Sequence, residues 1–137
     1  MKKIVFAGLC LLFVFCGREQ VIKIGVAGPM TGDQAKMGLD IYQGTLLAAE
    51  EWNSRGGVLG KKIIVIQTDD RHDPREAVSV ANKLVNDKVV GLVGHLNSSC
   101  SIPASQIYYE FKVVQITPSS TNPQLTEQGY QNVFRVC

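Results

Sequence analysis

Two clusters of small polar residues follow two apolar stretches of the sequence, and their hydroxyl groups are the side chains best placed to do chemistry. The segment "HLNSSCS" (95–101) follows "VVGLVG" (89–94), and "SSTNP" (119–123) follows "VVQITP" (113–118). Stretches rich in β-branched residues are typical of buried strands in a parallel sheet. Hydroxyls and free amides at the ends of such strands are suited to bind a carboxylate. N-capping and turn formation are the other common use of Ser, Thr and Asn.

His95 and Ser98 suggest a different chemistry, in which they act as a base and a nucleophile in a hydrolase or a nucleotide-binding domain. The sequence has no G-x-S-x-G elbow and no evident carboxylate to orient the imidazole. The glycines of 28–38 and 56–60 fit neither the phosphate loop nor the dinucleotide fingerprint. We therefore expect a protein that is not an enzyme and has no cofactor. An exported α/β hydrolase or nucleotide-binding domain that uses His95 and Ser98 is the alternative.

The acidic segment "QTDDRHD" (67–73) resembles a metal site, with Asp69, Asp70, His72 and Asp73 as ligands. Side chains packed so closely in a turn point in divergent directions. Asp73 also has another role, because it precedes Pro74 and stands three residues before Glu76, as an N-cap does. We expect no metal.

Length, charge and cysteine content restrict the class of protein further. The chain has 137 residues, enough for one domain, and 45% of them are hydrophobic. Without Lys2 and Lys3, basic and acidic residues are equal in number, which argues against a nucleic-acid partner. Cys100 is expected to be a small buried residue, although a disulfide with Cys137 is also chemically open.

Residues 1–17 are interpreted as a signal peptide and not as part of a fold. A basic start is followed by an apolar run too short for a bilayer, which needs about 20 residues. Cys16 is the candidate for a lipid anchor, but Phe15 stands where a small residue is required. A lipid-anchored protein and a freely exported one are both open.

The rest of the chain, residues 18–137, alternates strand and helix patterns, which predicts an α/β domain with a parallel sheet and helices on both faces. Val65, Leu92 and Ile116 are expected to be buried in the sheet. The carboxyl ends of parallel strands lie along one edge, so the two hydroxyl clusters should meet there. The predicted elements are strands at 21–27, 62–70, 89–94, 113–118 and 132–136, and helices at 39–54, from 74 onward, and at 102–111.

The order and spacing of four segments resemble a known family. They are "IKIGVAGPMTGDQAKMG", "GTLLAAEEWNSRGGVLGKKIIVIQTDD", "DPREAVSVANKLVNDKVVGLVGHLNSS" and "VVQITPSSTNPQLTEQGYQNVFRVC". Together they look like the N-terminal lobe of the periplasmic leucine/isoleucine/valine-binding proteins, which have the type I periplasmic-binding-protein fold. These are the solute receptors of ATP-binding-cassette (ABC) importers. The resemblance implies a periplasmic protein that captures a small amino acid and delivers it to a membrane permease.

The resemblance also implies roles for individual residues. Ser98 would hold the ligand's α-carboxylate, Ser119 would offer a carbonyl to its α-amino group, and Thr121 would contact both. Leu96 would line the pocket, and Met37 stands where leucine binders tend to carry an aromatic residue.

Two departures from the family pattern matter. His72 and Asn97 stand where some members have a disulfide, and the side-chain preference is open because relatives bind amides, urea or aromatic compounds on the same scaffold. Family members also have two lobes, so the chain is expected to be a truncated first lobe with the second lobe absent.

Overall fold

The computed structural model describes residues 20–137, and this part of the chain folds as a parallel sheet with flanking helices. The predicted signal peptide, including Cys16, lies outside the described residues. The strands are β1 (Val21–Gly28), β2 (Lys62–Asp69), β3 (Gly91–Gly94), β4 (Val114–Thr117) and β5 (Val133–Arg135). The helices are α1 (Ala35–Ser54), α2 (Pro74–Asn86), α3 (Ser98–Glu110) and α4 (Gln124–Glu127).

The five strands run parallel in the order β2-β1-β3-β4-β5, as the alternating pattern predicted. The chain leaves β1 in one direction to form β2, and then moves in the other direction to β3 and β4. Because such connections are right-handed, α1 lies on one face of the sheet and α2 and α3 lie on the other. Accordingly, α1 packs on β1 and β2, while α2 and α3 pack against each other.

The main core lies between the sheet and the α2–α3 face. Cys100 is fully buried there, as expected, and both Cys100 and Cys137 are free thiols. Burial, together with the nearby charge of Asp70, raises the pKa of Cys100 to about 12, so its thiol stays protonated at neutral pH. The apolar core residues are Ala27, Ala77, Val80, Ala81, Leu84, Val89, Leu92, Cys100, Ala104, Tyr108 and Val113.

The opposite face of the sheet is only partly covered, which corrects one sequence prediction. Leu92 is 2% exposed, as expected, but Ile116 is 40% exposed and Val65 is only partly buried. Side chains alternate between faces along a strand, and α1 packs mainly on β1 and β2 on its side, with a smaller contact on β3. An exposed apolar surface results, which we call the open face: Val90, Val114, Ile116 and Phe134.

Two helices begin four residues earlier than the sequence predicted. Helix α1 includes Gly38, where a side-chain Cβ would come within 2.1 Å of the Pro29 carbonyl oxygen, so a glycine in this helix serves close packing. Helix α3 starts at Ser98 and contains Pro103, a residue that usually marks a helix start. Leu39 and Trp52, two apolar residues of α1, are exposed. The short helix α4 was not predicted.

The N-cap predicted at Asp73 is present. Its carboxylate accepts hydrogen bonds from the amides of Arg75 (2.6 Å) and Glu76 (3.2 Å). We expect Asp73→Ala to lower the free energy of unfolding by about 1 kcal/mol, because these amides lose their acceptor. Asp73→Asn should retain most of the stability, since asparagine caps equally well. Urea denaturation followed by circular dichroism measures both, and equal midpoints for alanine and asparagine would contradict this role.

Candidate functional site

The candidate site lies at the carboxyl edge of the sheet, where strand order reverses. β1 and β3 are neighbours, but the chain leaves them on opposite sides, and ligands of open α/β sheets bind in the crevice at such a point. The loop after β1 reaches this crevice through Gln34. Residues 95–97 follow β3, and residues 118–123 follow β4.

The two hydroxyl clusters are hydrogen-bonded to each other, which confirms that they share one edge. The Ser119 hydroxyl donates to the Leu96 carbonyl oxygen (2.8 Å), and the Asn122 amide donates to the Ser98 hydroxyl oxygen (3.2 Å). Deeper in the sheet edge, the hydroxyl oxygens of Ser101 and Ser120 lie 2.7 Å apart. Residues 95–101 and 119–122 therefore form one polar surface.

The start of α3 leaves donors available to a ligand. Asn97 is the N-cap residue, but its side chain makes no capping hydrogen bond. It donates instead to Gln34 Oε1 (2.9 Å), and its own Oδ1 is buried without a hydrogen-bond partner among the described residues. The first amides of a helix lack partners within the helix, and the helix dipole favours an anion beside them. An anion next to Ser98 would therefore be stabilised.

The predicted site residues differ in exposure. Leu96 is 9% exposed, whereas Ser98 and Ser119 are half-buried and Thr121 is exposed at the surface. Each of these four residues belongs to the polar surface or borders it. Met37 is 48% exposed on α1, and its link to this surface is indirect: its amide donates to the carbonyl of Gln34, whose side chain bonds Asn97.

Asp69 anchors the loop after β1, a role that sequence reasoning missed. Its carboxylate accepts hydrogen bonds from the Met30 amide (2.8 Å), the Thr31 hydroxyl (2.6 Å) and the Arg71 amide (2.9 Å). Burial raises the pKa of Asp69, but these hydrogen bonds outweigh it and hold the pKa below its ordinary value. The loop that carries Gln34 is thus tied to the end of β2 by a carboxylate.

The hydrolase alternative is not supported by the geometry around His95. Its side chain is fully buried, with Nδ1 2.6 Å from Asp70 Oδ2 and Nε2 3.1 Å from the Tyr108 hydroxyl. The sequence-based statement that no carboxylate orients the imidazole was wrong, because Asp70 does so. Both ring nitrogens are nevertheless occupied, so His95 has none left to accept a proton from Ser98.

The acidic turn gives no metal site in the part of the chain that the structure describes. Within residues 20–137, no group of three or more His, Cys, Asp or Glu side chains is arranged to hold a metal ion. The carboxylates of Asp69, Asp70 and Asp73 each accept hydrogen bonds from protein groups instead. None of the helices in residues 20–137 combines the length and apolar character needed to cross a membrane.

Comparison with known proteins identifies the family. The family model described as "periplasmic binding protein" matches residues 21–137. An amino acid binding protein of Pseudomonas aeruginosa is 49% identical over 85% of this chain and 31% of its own length. The Leu/Ile/Val-binding protein homolog 2 of Brucella abortus is 44% identical over 100% of this chain and 38% of its own length.

A solved structure shows the same fold. The branched-chain amino acid transporter substrate-binding protein LivJ from Streptococcus pneumoniae, in complex with isoleucine, has a TM-score of 0.79 and 34% identity. The match covers 85% of this chain and 33% of that one. The chain thus spans about a third of the length of the relatives it matches. It belongs to the periplasmic binding protein family.

Proposed function

We propose that the chain is the N-terminal ligand-binding lobe of an extracytoplasmic receptor for branched-chain or related amino acids. The single observation that carries this proposal is the joined polar surface of residues 95–101 and 119–122 beside the uncapped start of α3. The names of the relatives from Brucella abortus and Streptococcus pneumoniae support the same ligand class. The receptor would be non-enzymatic, periplasmic, and would deliver its ligand to an ABC permease.

The ligand would be held through its backbone groups. Its α-carboxylate would accept hydrogen bonds from the amide and hydroxyl of Ser98, while the carbonyl of Ser119 would accept one from its α-amino group. Thr121, which is exposed, would contact both groups. Leu96 and Met37 would offer apolar contacts to the side chain. These assignments agree with the chemistry of the surface, because a zwitterion needs donors and an acceptor within a few ångströms of each other.

The opposite wall of the pocket would be supplied by a second lobe that closes over the ligand by hinge motion. Without it, a zwitterion on this surface keeps much of its hydration and gains only a few partly exposed hydrogen bonds. We therefore expect this chain to bind leucine, isoleucine or valine no tighter than about 1 mM, which is roughly −4 kcal/mol.

A titration of the dilute chain, followed by NMR of its amides, tests the proposal. Saturable shifts at Ser98, Ser119 and Thr121 with millimolar leucine are expected, and benzoate or acetamide should cause smaller ones. The absence of shifts at these residues with all three amino acids would refute the ligand class. Micromolar affinity would refute the need for a second lobe.

Mass spectrometry of the exported protein decides whether Cys16 is lipidated.

Substitution of the hydroxyl residues tests the site directly. We expect Ser98→Ala and Thr121→Ala each to weaken leucine binding by about twofold to tenfold, because the ligand loses one partly exposed hydrogen bond. Ser99→Ala is the matched control, since Ser99 is exposed and adjacent to Ser98. If all three variants bind leucine as the unmodified chain does, the carboxylate site is placed wrongly.

A further inference from the structure

Three buried polar side chains form a chain of hydrogen bonds directly beneath the proposed site. Asp70, His95 and Tyr108 are each 0% exposed, and they come from the end of β2, the end of β3 and the last turns of α3. Asp70 also accepts a hydrogen bond from the His72 amide through Oδ1 (2.9 Å). Burial of polar groups is costly unless each finds a partner, and here all three do.

The proton positions in this chain follow from the chemistry of its members. An ionised carboxylate can only accept, so Nδ1 of His95 carries the proton that is shared with Asp70. Burial and the charge of Asp70 both raise the pKa of Tyr108, so the phenol keeps its proton and remains available to Nε2 of His95. The imidazole is thereby held at both ends and cannot rotate without losing a buried hydrogen bond.

Fixing this ring also fixes the backbone that leads to Ser98. The carbonyl oxygen of His95 accepts a hydrogen bond from the Thr117 hydroxyl (2.7 Å), and the hydroxyl oxygens of Ser101 and Ser120 each lie 3.3 Å from it. The next carbonyl, that of Leu96, accepts from Ser119. Ser98 therefore starts α3 at a place that is set by strand β4 on one side and by the buried imidazole on the other.

We infer that Asp70 and Tyr108 are positioning residues for the amino-acid site, acting through His95. They hold residues 95–98 in the binding arrangement before a ligand arrives, although their own buried side chains do not contact it. This inference rests on the proposed function, because a positioning role requires a ligand site. Whether Asp70 and Tyr108 hold residues 95–98 in place can be tested without a ligand. Preformed donors improve binding because the ligand does not have to order them.

The test compares Tyr108→Phe with the unmodified chain by hydrogen exchange and mass spectrometry. The substitution keeps the buried ring and removes only the hydroxyl that reaches His95. We expect exchange in peptides covering 95–101 and 117–122 to become about tenfold to a hundredfold faster. Peptides within α2, which packs in the same core, should exchange at the unchanged rate. Asp70→Asn is the second variant and should accelerate the same two segments.

Tyr109→Phe is the matched control, because Tyr109 is the next residue, is 46% exposed and stacks on Tyr130 away from His95. It should leave all three segments unchanged. Equal acceleration in α2 and in 95–101 would mean that Tyr108 only stabilises the whole fold, and that result would overturn the inference. Unchanged exchange in Tyr108→Phe and Asp70→Asn would overturn it as well.

Leucine titration of the same variants separates this inference from the proposed function. If the unmodified chain responds to leucine, Tyr108→Phe should raise the dissociation constant several-fold and Tyr109→Phe should not. Local acceleration of exchange with identical leucine affinity would overturn the positioning role. If the unmodified chain does not respond to leucine at all, the proposed function fails, and the exchange comparison still decides whether Asp70 and Tyr108 hold this loop.

Discussion

Asp70→Ala is expected to lower the free energy of unfolding by about 3 kcal/mol, because it breaks a fully buried hydrogen-bonded pair. His95 would keep a buried Nδ1–H with no acceptor, and the His72 amide would lose its partner too. Small domains are stable by only about 5–15 kcal/mol, so this loss is a large fraction of the total. Urea denaturation followed by circular dichroism should show a much lower midpoint or no cooperative transition.

Asp40→Ala is the control for this change. Asp40 forms an exposed pair with Lys36 on the surface of α1, with its side chain 57% exposed. Pairs of this kind contribute between zero and about 1 kcal/mol, so the midpoint should barely move. If Asp70→Ala unfolds at the same urea concentration as Asp40→Ala, the buried pair does not stabilise the fold.

The architecture was predictable because its signals are local. Each of the five apolar strand stretches and three of the four helices could be recognised from periodicity and caps, and short connections between them imply a parallel sheet. Asp73 is the clearest example, since Pro74 and Glu76 flank it at the spacing of a cap. The structure confirms the strand assignments and their parallel pairing.

Helix starts and burial were less predictable because they depend on packing partners far away in the sequence. Glycine and proline are usually found at helix ends, yet Gly38 and Pro103 lie inside helices in this structure. Gly38 is explained by the Pro29 backbone that it meets. The exposure of Ile116 depends on how far α1 extends over its face of the sheet, and β-branched composition does not contain that information.

The candidate site likewise has features that the sequence could predict and features that it could not. The meeting of the two hydroxyl clusters at one edge could be predicted, because parallel topology alone brings the ends of β3 and β4 together. The link between Asp70, His95 and Tyr108 could not, because its members are 25 and 13 residues apart and each has an ordinary sequence context. Gln34 was missed for a similar reason, since its partner Asn97 is 63 residues away.

The open face creates the second large expectation, which concerns the solution size of the chain. Val90 is 56% exposed, Phe134 is 48% exposed, and both lie with Val114 and Ile116 on the part of the sheet face that α1 leaves uncovered. Parallel sheets are normally covered on both faces, and contiguous apolar patches of this kind drive association. Strand β5 adds an unpaired edge beside the same surface.

We therefore expect the chain to self-associate through the open face as its concentration rises, with an increasing mean mass in sedimentation velocity and light scattering. The double variant Ile116→Lys with Phe134→Lys should remain monomeric over the same range, because two charges on this surface would have to be buried in the contact. Leu59→Lys is the control, because Leu59 is 90% exposed in the turn before β2 and lies outside the open face. Association that survives in the double variant, or that Leu59→Lys also abolishes, would mean that the β5 edge or general loss of solubility governs it, and not the open face.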